Sequence, residues 1–169
     1  ELHKRVKFNN DGYFDNTSII GDINLLSQAA NYVLAKFAGK RVTKVLTAAV
    51  DGVPLATMVA KFLGVNLVIA KTNKEVGVSS FLEETYVLNN SGYTVTLYIP
   101  KDSLRKRDSV LIIDDTIKSG DTQEALLNLV DKAKAEVSGI FSMISVGDTW
   151  KERMNIPKGC QVEIVLRLD

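Results

Sequence analysis

The run Val110-Leu111-Ile112-Ile113 constrains this chain more than any other segment. Four consecutive branched apolar residues lack the polar alternation of a half-buried strand, so both faces of the strand need apolar cover. With Ser109, they predict the centre of a largely parallel sheet flanked by helices. The chain has enough apolar residues for that cover. At 169 residues and 46% hydrophobic content it can bury one good-sized core.

Helical and strand-like segments alternate around this strand. Asp22 is placed to cap a helix over about residues 22–37, with Leu26, Ala29, Ala30, Val33 and Phe37 at helical spacing and Gly39 as the stop. Residues 44–48 read as a strand. The turn Val50-Asp51-Gly52 leads into a helix with Pro54 in its first turn, where a missing amide donor costs nothing. Gly64 ends that helix, and residues 66–70 read as a buried strand. Residues 71–80 are polar and aperiodic, as in a mobile loop. Residues 85–88 and 94–99 flank Asn89-Asn90-Ser91-Gly92 as a hairpin. A helix is expected over about 122–135, followed by strands at 137–145 and 162–168. There is no internal repeat and no low-complexity tract. Strand–helix–strand alternation with short connections predicts one α/β domain over residues 1–169.

Composition excludes several kinds of chemistry. A single cysteine, Cys160, allows no internal disulfide framework and no cysteine-cluster metal site. The one histidine, His3, stands at the N-terminal end, which argues against a Ser–His–Asp triad or histidine-ligated zinc. No apolar run approaches the roughly 18–20 residues that span a bilayer, and no signal peptide opens the sequence. The expectation is a soluble, cytoplasmic protein without a membrane partner. A net charge of +1 gives no support for an extended nucleic-acid surface.

One segment carries chemistry. The apolar strand runs into Asp114-Asp115, then Thr116-Ile117-Lys118, then Ser119-Gly120-Asp121-Thr122 at the start of a helix. Amides at a helix N-terminus, with the Ser119 and Thr122 hydroxyls, make a cradle for a phosphate dianion. Gly120 leaves room for the backbone to approach that phosphate. Carboxylates cannot hold phosphate, so Asp114 and Asp115 suit neighbouring ribose hydroxyls or a hydrated Mg²⁺. Phosphate on one side and a diol on the other describes a ribose 5-phosphate pocket.

This segment resembles the signature by which type I phosphoribosyltransferases bind 5-phosphoribosyl 1-pyrophosphate (PRPP). In that family the two acids hold the ribose hydroxyls and the Thr/Ser-Gly-x-Thr loop holds the 5-phosphate. Residues 47–56 resemble the family's pyrophosphate loop, which implies a pyrophosphate site at Ala49, Val50, Asp51 and Gly52. The stretch from Thr72 onward takes the place of the flexible catalytic loop, within a flexible segment of about 71–98. There Lys71 and Lys74 would neutralise departing pyrophosphate as the catalytic residues. Gly12-Tyr13-Phe14-Asp15 resembles the aromatic hood over the base. The hood is expected from about 1–20 and 146–169, with Tyr13, Phe14 and Trp150 as stacking candidates. The likeness covers nearly the whole chain. It implies a Rossmann-like fold, Mg²⁺ bound mainly through PRPP with Asp114 and Asp115 within reach, and a homodimer.

Three departures shape the functional reading. Ala49-Val50-Asp51-Gly52 lacks the acid and arginine that many purine enzymes place there. Lys118 replaces the aspartate of mammalian-type hypoxanthine–guanine enzymes, and Asp121 sets a carboxylate inside the phosphate loop. Glu124 and Val76 stand where orotate-type enzymes use an arginine and a histidine, which ranks orotate below purine. The expectation is a purine phosphoribosyltransferase of salvage type. The alternative is a PRPP- or nucleotide-sensing transcription regulator built on this domain. Its nucleic-acid contacts would then come from a segment upstream of residue 1.

Overall fold

The computed structural model describes residues 2–8, 14–88 and 91–169. Its N-terminal part is a short preamble: α1 (Leu2–Arg5), β1 (Lys7–Phe8) paired antiparallel with β2 (Phe14–Asp15), and α2 (Thr17–Ile20). Asp22 then caps α3 (Ile23–Lys36), its carboxylate accepting from the Leu25 amide at 3.0 Å. β3 (Lys44–Ala48), α4 (Val53–Leu63) and β4 (Asn66–Ala70) follow, with Pro54 in the first turn of α4 and Gly64 closing it in the left-handed conformation. The hairpin strands β5 (Phe81–Val87) and β6 (Thr94–Pro100) pair antiparallel. After them come β7 (Ser109–Ile117), α5 (Asp121–Lys132), β8 (Glu136–Val146), α6 (Trp150–Arg153) and β9 (Gln161–Leu168).

The main sheet has the order β4-β3-β7-β8-β9, and all its neighbours are parallel. β7 is central, as its unbroken apolar run requires. The pleat divides its side chains between two cores. Leu111 and Ile113 pack with α3 and α4, whereas Val110 and Ile112 pack with α5 and the hairpin. Among the described residues no helix is long and apolar enough to cross a membrane.

Three expectations need correction. First, the central strand does not end at Ile113 but continues through Asp114, Asp115 and Thr116 to Ile117, because β8 keeps pairing with it as far as Ser145. Second, the hairpin begins at Phe81 and is tied down. Lys71 and Tyr98 exchange backbone hydrogen bonds at 2.8 and 3.0 Å, which joins β6 to the end of β4. Third, residues 161–168 do not belong to a hood, since β9 lies beside β8 in the main sheet.

Gly139 shows how closely the sheet and α3 approach. A Cβ built there would lie 2.2 Å from Cε1 of Phe37, the buried residue at the end of α3. The substitution Gly139→Ala should lower unfolding stability in urea by about 1–3 kcal/mol through overpacking. The cleft described below should be left intact.

Candidate functional site

β3 pairs with β7 only as far as Leu46 and Ile112. Beyond that point β3 turns away into residues 49–52, anchored by the Ala49 amide on the Ala70 carbonyl at 2.9 Å. The next residues of β7 therefore have a strand neighbour on the β8 side only. A cleft of about 330 Å³ opens on the other side, at the C-terminal ends of the strands. Ligands of open α/β sheets bind at such strand ends. Ala49, Val50, Asp51 and Gly52 form one wall, and Asp114, Asp115, Thr116, Lys118 and Thr122 form the other. Two sequence segments read separately as ligand loops thus face each other.

The two acids are not equivalent. Successive residues of a strand point to opposite faces, so Asp114 turns towards α5 and Asp115 towards the N-terminal segment. Asp114 is buried and both its oxygens are engaged: Oδ1 accepts from the Asp115 amide at 2.9 Å, and Oδ2 accepts from Gln123 Nε2 at 2.5 Å. Burial, and then the neighbouring Asp115 charge, push the Asp114 pKa well above the ordinary carboxylate value. Gly52 presses on the same group. A Cβ there would stand 2.5 Å from Thr47 Oγ1 and 2.8 Å from Asp114 Oδ1, so glycine is required by space at an ordinary φ of −72°.

Asp115 Oδ2 accepts from Asn16 Nδ2 at 2.7 Å and from the Thr116 hydroxyl at 2.8 Å. Both of these donors meet Oδ2, and among the described residues no side chain donates to Oδ1. Asn16 also reaches Asp51 Oδ2 at 3.4 Å and so bridges the two walls. These donors suit a cation held mostly by substrate oxygens, as Mg²⁺ prefers. Among the described residues no three ligating side chains form a cage of their own.

The phosphate loop differs in detail from expectation. Gly120 has φ +85°, and a Cβ there would meet Met154 Cγ at 2.9 Å and Trp150 Cβ at 3.1 Å. Glycine is therefore required here by a left-handed turn packed against Trp150 and Met154. The Ser119 hydroxyl donates to Asp121 Oδ2 at 2.7 Å, and Asp121 pairs with Arg153 at 3.2 Å. The Asp121 carboxylate is thereby drawn away from the cleft. Among the described residues, the amides of Ser119, Gly120 and Thr122 donate to no protein acceptor. The Thr122 hydroxyl lies 3.1 Å from the Tyr86 hydroxyl of the hairpin.

Other candidates lie apart from the cleft. Ile117 and Trp150 are core residues at 0% and 4% exposure, so the Trp150 ring offers no open face to a base. Lys71 pairs with Glu75 at 3.0 Å. Lys74 pairs with Glu83 at 3.3 Å and lies over the Tyr98 ring. Tyr13 and the Phe14 side chain lie outside the described residues. Sequence reading missed Asn16, Gln123 and Tyr86. Gln123 carried a signal, because it shares the apolar spacing of Leu126, Leu127 and Val130 on α5. Asn16 carried none.

Against known proteins, the phosphoribosyl transferase domain family matches residues 13–167. The chain belongs to this family. Over 133 residues, 79% of the chain, this phosphoribosyl transferase domain is 35% identical to the purine biosynthesis transcriptional repressor of Bacillus subtilis, of which the match covers 47%. It therefore spans about half the length of that relative. Over 146 residues it is 29% identical to the xanthine phosphoribosyltransferase of Clostridium tetani, covering 84% of the chain and 76% of that protein. The solved adenine phosphoribosyltransferase of Rhodothermus marinus superposes with a TM-score of 0.82 at 29% identity, over 97% of this chain and 93% of that one.

The raised Asp114 pKa carries a sign that can be tested. Below the ordinary carboxylate range the group is protonated whether the chain is folded or not. As pH rises the unfolded chain ionises first, so stability falls until the raised native pKa is passed. Asp114→Asn removes that loss. Thermal unfolding at a series of pH values should show the stability difference shifting in favour of the variant between the acid range and neutrality.

Proposed function

We propose that this domain binds PRPP, or the 5′-phosphoribosyl part of a nucleotide, and transfers the 5-phosphoribosyl group to a purine base with release of pyrophosphate. The observation that carries the reading is the two-walled cleft itself. Asp115 offers ribose hydroxyls an oxygen to which no described side chain donates. The uncommitted amides at the start of α5, with the Thr122 hydroxyl, suit a phosphate at the sugar's other end. The relatives named xanthine phosphoribosyltransferase support a purine over other bases.

In the reaction, the bond from the ribose anomeric carbon to the pyrophosphate oxygen breaks, and its electron pair leaves with pyrophosphate. A purine nitrogen forms the new bond and gives up its proton. The transition state is an oxocarbenium ion, so the protein acts mainly through positioning and charge stabilisation. Asp115 fixes the diol, and Gln123 and Gly52 hold Asp114 in place behind it. The amides of Val50, Asp51 and Gly52 would meet pyrophosphate, while the Ala49 amide holds the loop on the Ala70 carbonyl. Lys71 and Lys74 would leave their exposed carboxylate partners to neutralise it, and exposed pairs of this kind cost little to break. Mg²⁺, bound through PRPP oxygens with Asp114 and Asp115 within reach, would balance the pyrophosphate charge. The site is proposed to work in the cytoplasm and in a homodimer.

A second reading has its own support. The 35% identity to a purine repressor, over about half of that protein, favours a PRPP- or nucleotide-sensing regulator built on the same pocket. Incubation with PRPP, Mg²⁺ and each purine base, with pyrophosphate release as the readout, separates the two. Turnover with one base supports the enzyme, and tight PRPP binding without turnover for any base supports the sensor. In both cases Asp114→Asn and Asp115→Asn should each weaken PRPP binding by more than about tenfold. Asp115→Asn loses hydrogen bonds to a charged group, and Asp114→Asn sets an amide NH2 against the Asp115 amide or Gln123 Nε2 and so displaces the wall. Unchanged affinity in both variants would remove the carboxylates from the site.

A further inference from the structure

The parallel sheet gives the molecule two unlike ends. The cleft lies at the C-terminal ends of β3 and β7, so the loops that enter β3, β7, β8 and β9 gather at the opposite end. Each of these loops carries exposed basic residues. Lys40 and Arg41 precede β3, and Arg105, Lys106 and Arg107 precede β7. Lys134 precedes β8 and Lys158 precedes β9. The loops touch one another. Arg41 donates to the Arg107 carbonyl at 2.9 Å, Ser138 donates to the Arg41 carbonyl at 2.9 Å, and Lys40, Arg41 and Lys158 border one shallow pocket.

Clustering sets this end apart, because Lys61, Lys101, Lys118 and Arg167, which also lack a carboxylate partner among the described residues, lie scattered outside these loops. Arg5, Lys36, Lys71, Lys74, Lys132, Lys151 and Arg153 all pair with carboxylates elsewhere on the molecule. Among the described residues, none of the basic side chains on the four loops does so. Of the nearby acids, Asp108 is buried and committed to the Arg105 amide and the Thr43 hydroxyl, while Asp131 and Glu136 are exposed. A net charge of +1 thus conceals a basic pole.

We infer that this pole is a docking surface for the phosphate backbone of double-stranded nucleic acid, bound without regard to sequence. β3, β7, β8 and β9 are consecutive in the sheet, so their entry loops form a row about 14 Å long at ~4.8 Å per strand. A duplex presents one phosphate charge per ~1.7 Å of axis, or about eight charges over that row. The pole sets seven basic residues, with two exposed acids, Asp131 and Glu136, against that density. The pole carries none of the exposed large apolar residues that a membrane surface would take up, and no exposed aromatic ring on which single-stranded bases would stack.

The test is fluorescence anisotropy of the full chain with a labelled mixed-sequence duplex of about 20 base pairs, titrated across salt concentrations. Binding should be tight at low salt and fall steeply as salt rises. The triple variant Arg105→Glu, Lys106→Glu, Arg107→Glu should weaken it at least about tenfold and flatten the salt slope by about 0.9 for each phosphate no longer neutralised. Lys40→Glu with Lys158→Glu should act the same way from two other loops, so a folding defect in one variant does not hide the result. Lys151→Glu, exposed on α6 beyond the C-terminal end of β8 and so away from the pole, should leave binding unchanged. Absence of duplex binding at low salt overturns the inference. So do pole variants that bind like the parent chain, or a preference for polyglutamate or phosphatidylserine vesicles over the duplex.

Discussion

The place where β3 lets go of β7 governs the rest of the structure. Up to Ile112 the central strand is paired on both sides and covered on both faces, so its side chains from Val110 onward must be apolar. Past that point it keeps β8 and loses β3. A strand with one free side inside a covered sheet leaves a slot whose backbone and side chains need polar partners. Asp114, Asp115 and Thr116 occupy that slot, with residues 49–52 facing them. The cleft follows from the difference in length of two neighbouring strands.

The pleat then divides labour between two acids that are chemically identical and adjacent in the chain. Asp114 falls on the face of Val110 and Ile112, where α5 brings Gln123 to it and Gly52 leaves no space beyond it. Asp115 falls on the face of Leu111 and Ile113 and emerges beside Asn16, with one oxygen to which no described side chain donates. A charged group buried next to a second charge is costly. Gln123, together with the raised pKa of Asp114, reduces that cost. Asp114 therefore supports the wall from behind, while Asp115 faces the cleft.

Much of this is legible in the order of the residues. The capped helix from Asp22, the strands at 44–48 and 66–70, and the Gly64 stop arise from local chemistry that tertiary packing does not override. The strand–acids–glycine–helix pattern marks one cleft wall, and the small residues 49–52 mark the other. Other readings depend on distance in space. Trp150 has the size and aromaticity of a stacking residue, yet it fills the core beneath Gly120. Lys74 has the charge expected of a catalytic residue and lies against Glu83 and Tyr98 of the hairpin. Balanced net charge gives no support for a polyanion surface, because a sum over the chain cannot show that four basic loops meet at one end.

By itself, the sequence determined the main helices and strands, a largely parallel sheet and the glycine turn that opens α5, because periodicity, caps and turn residues act over a few neighbours. Tertiary structure alone decided three things. It determined which of two adjacent aspartates meets the cleft and joined Asn16 to Asp51 and Asp115 across the walls. It also gathered the basic loops at the far pole. Each of these brings together residues that are far apart in the chain or of opposite pleat, and only the folded sheet sets such distances.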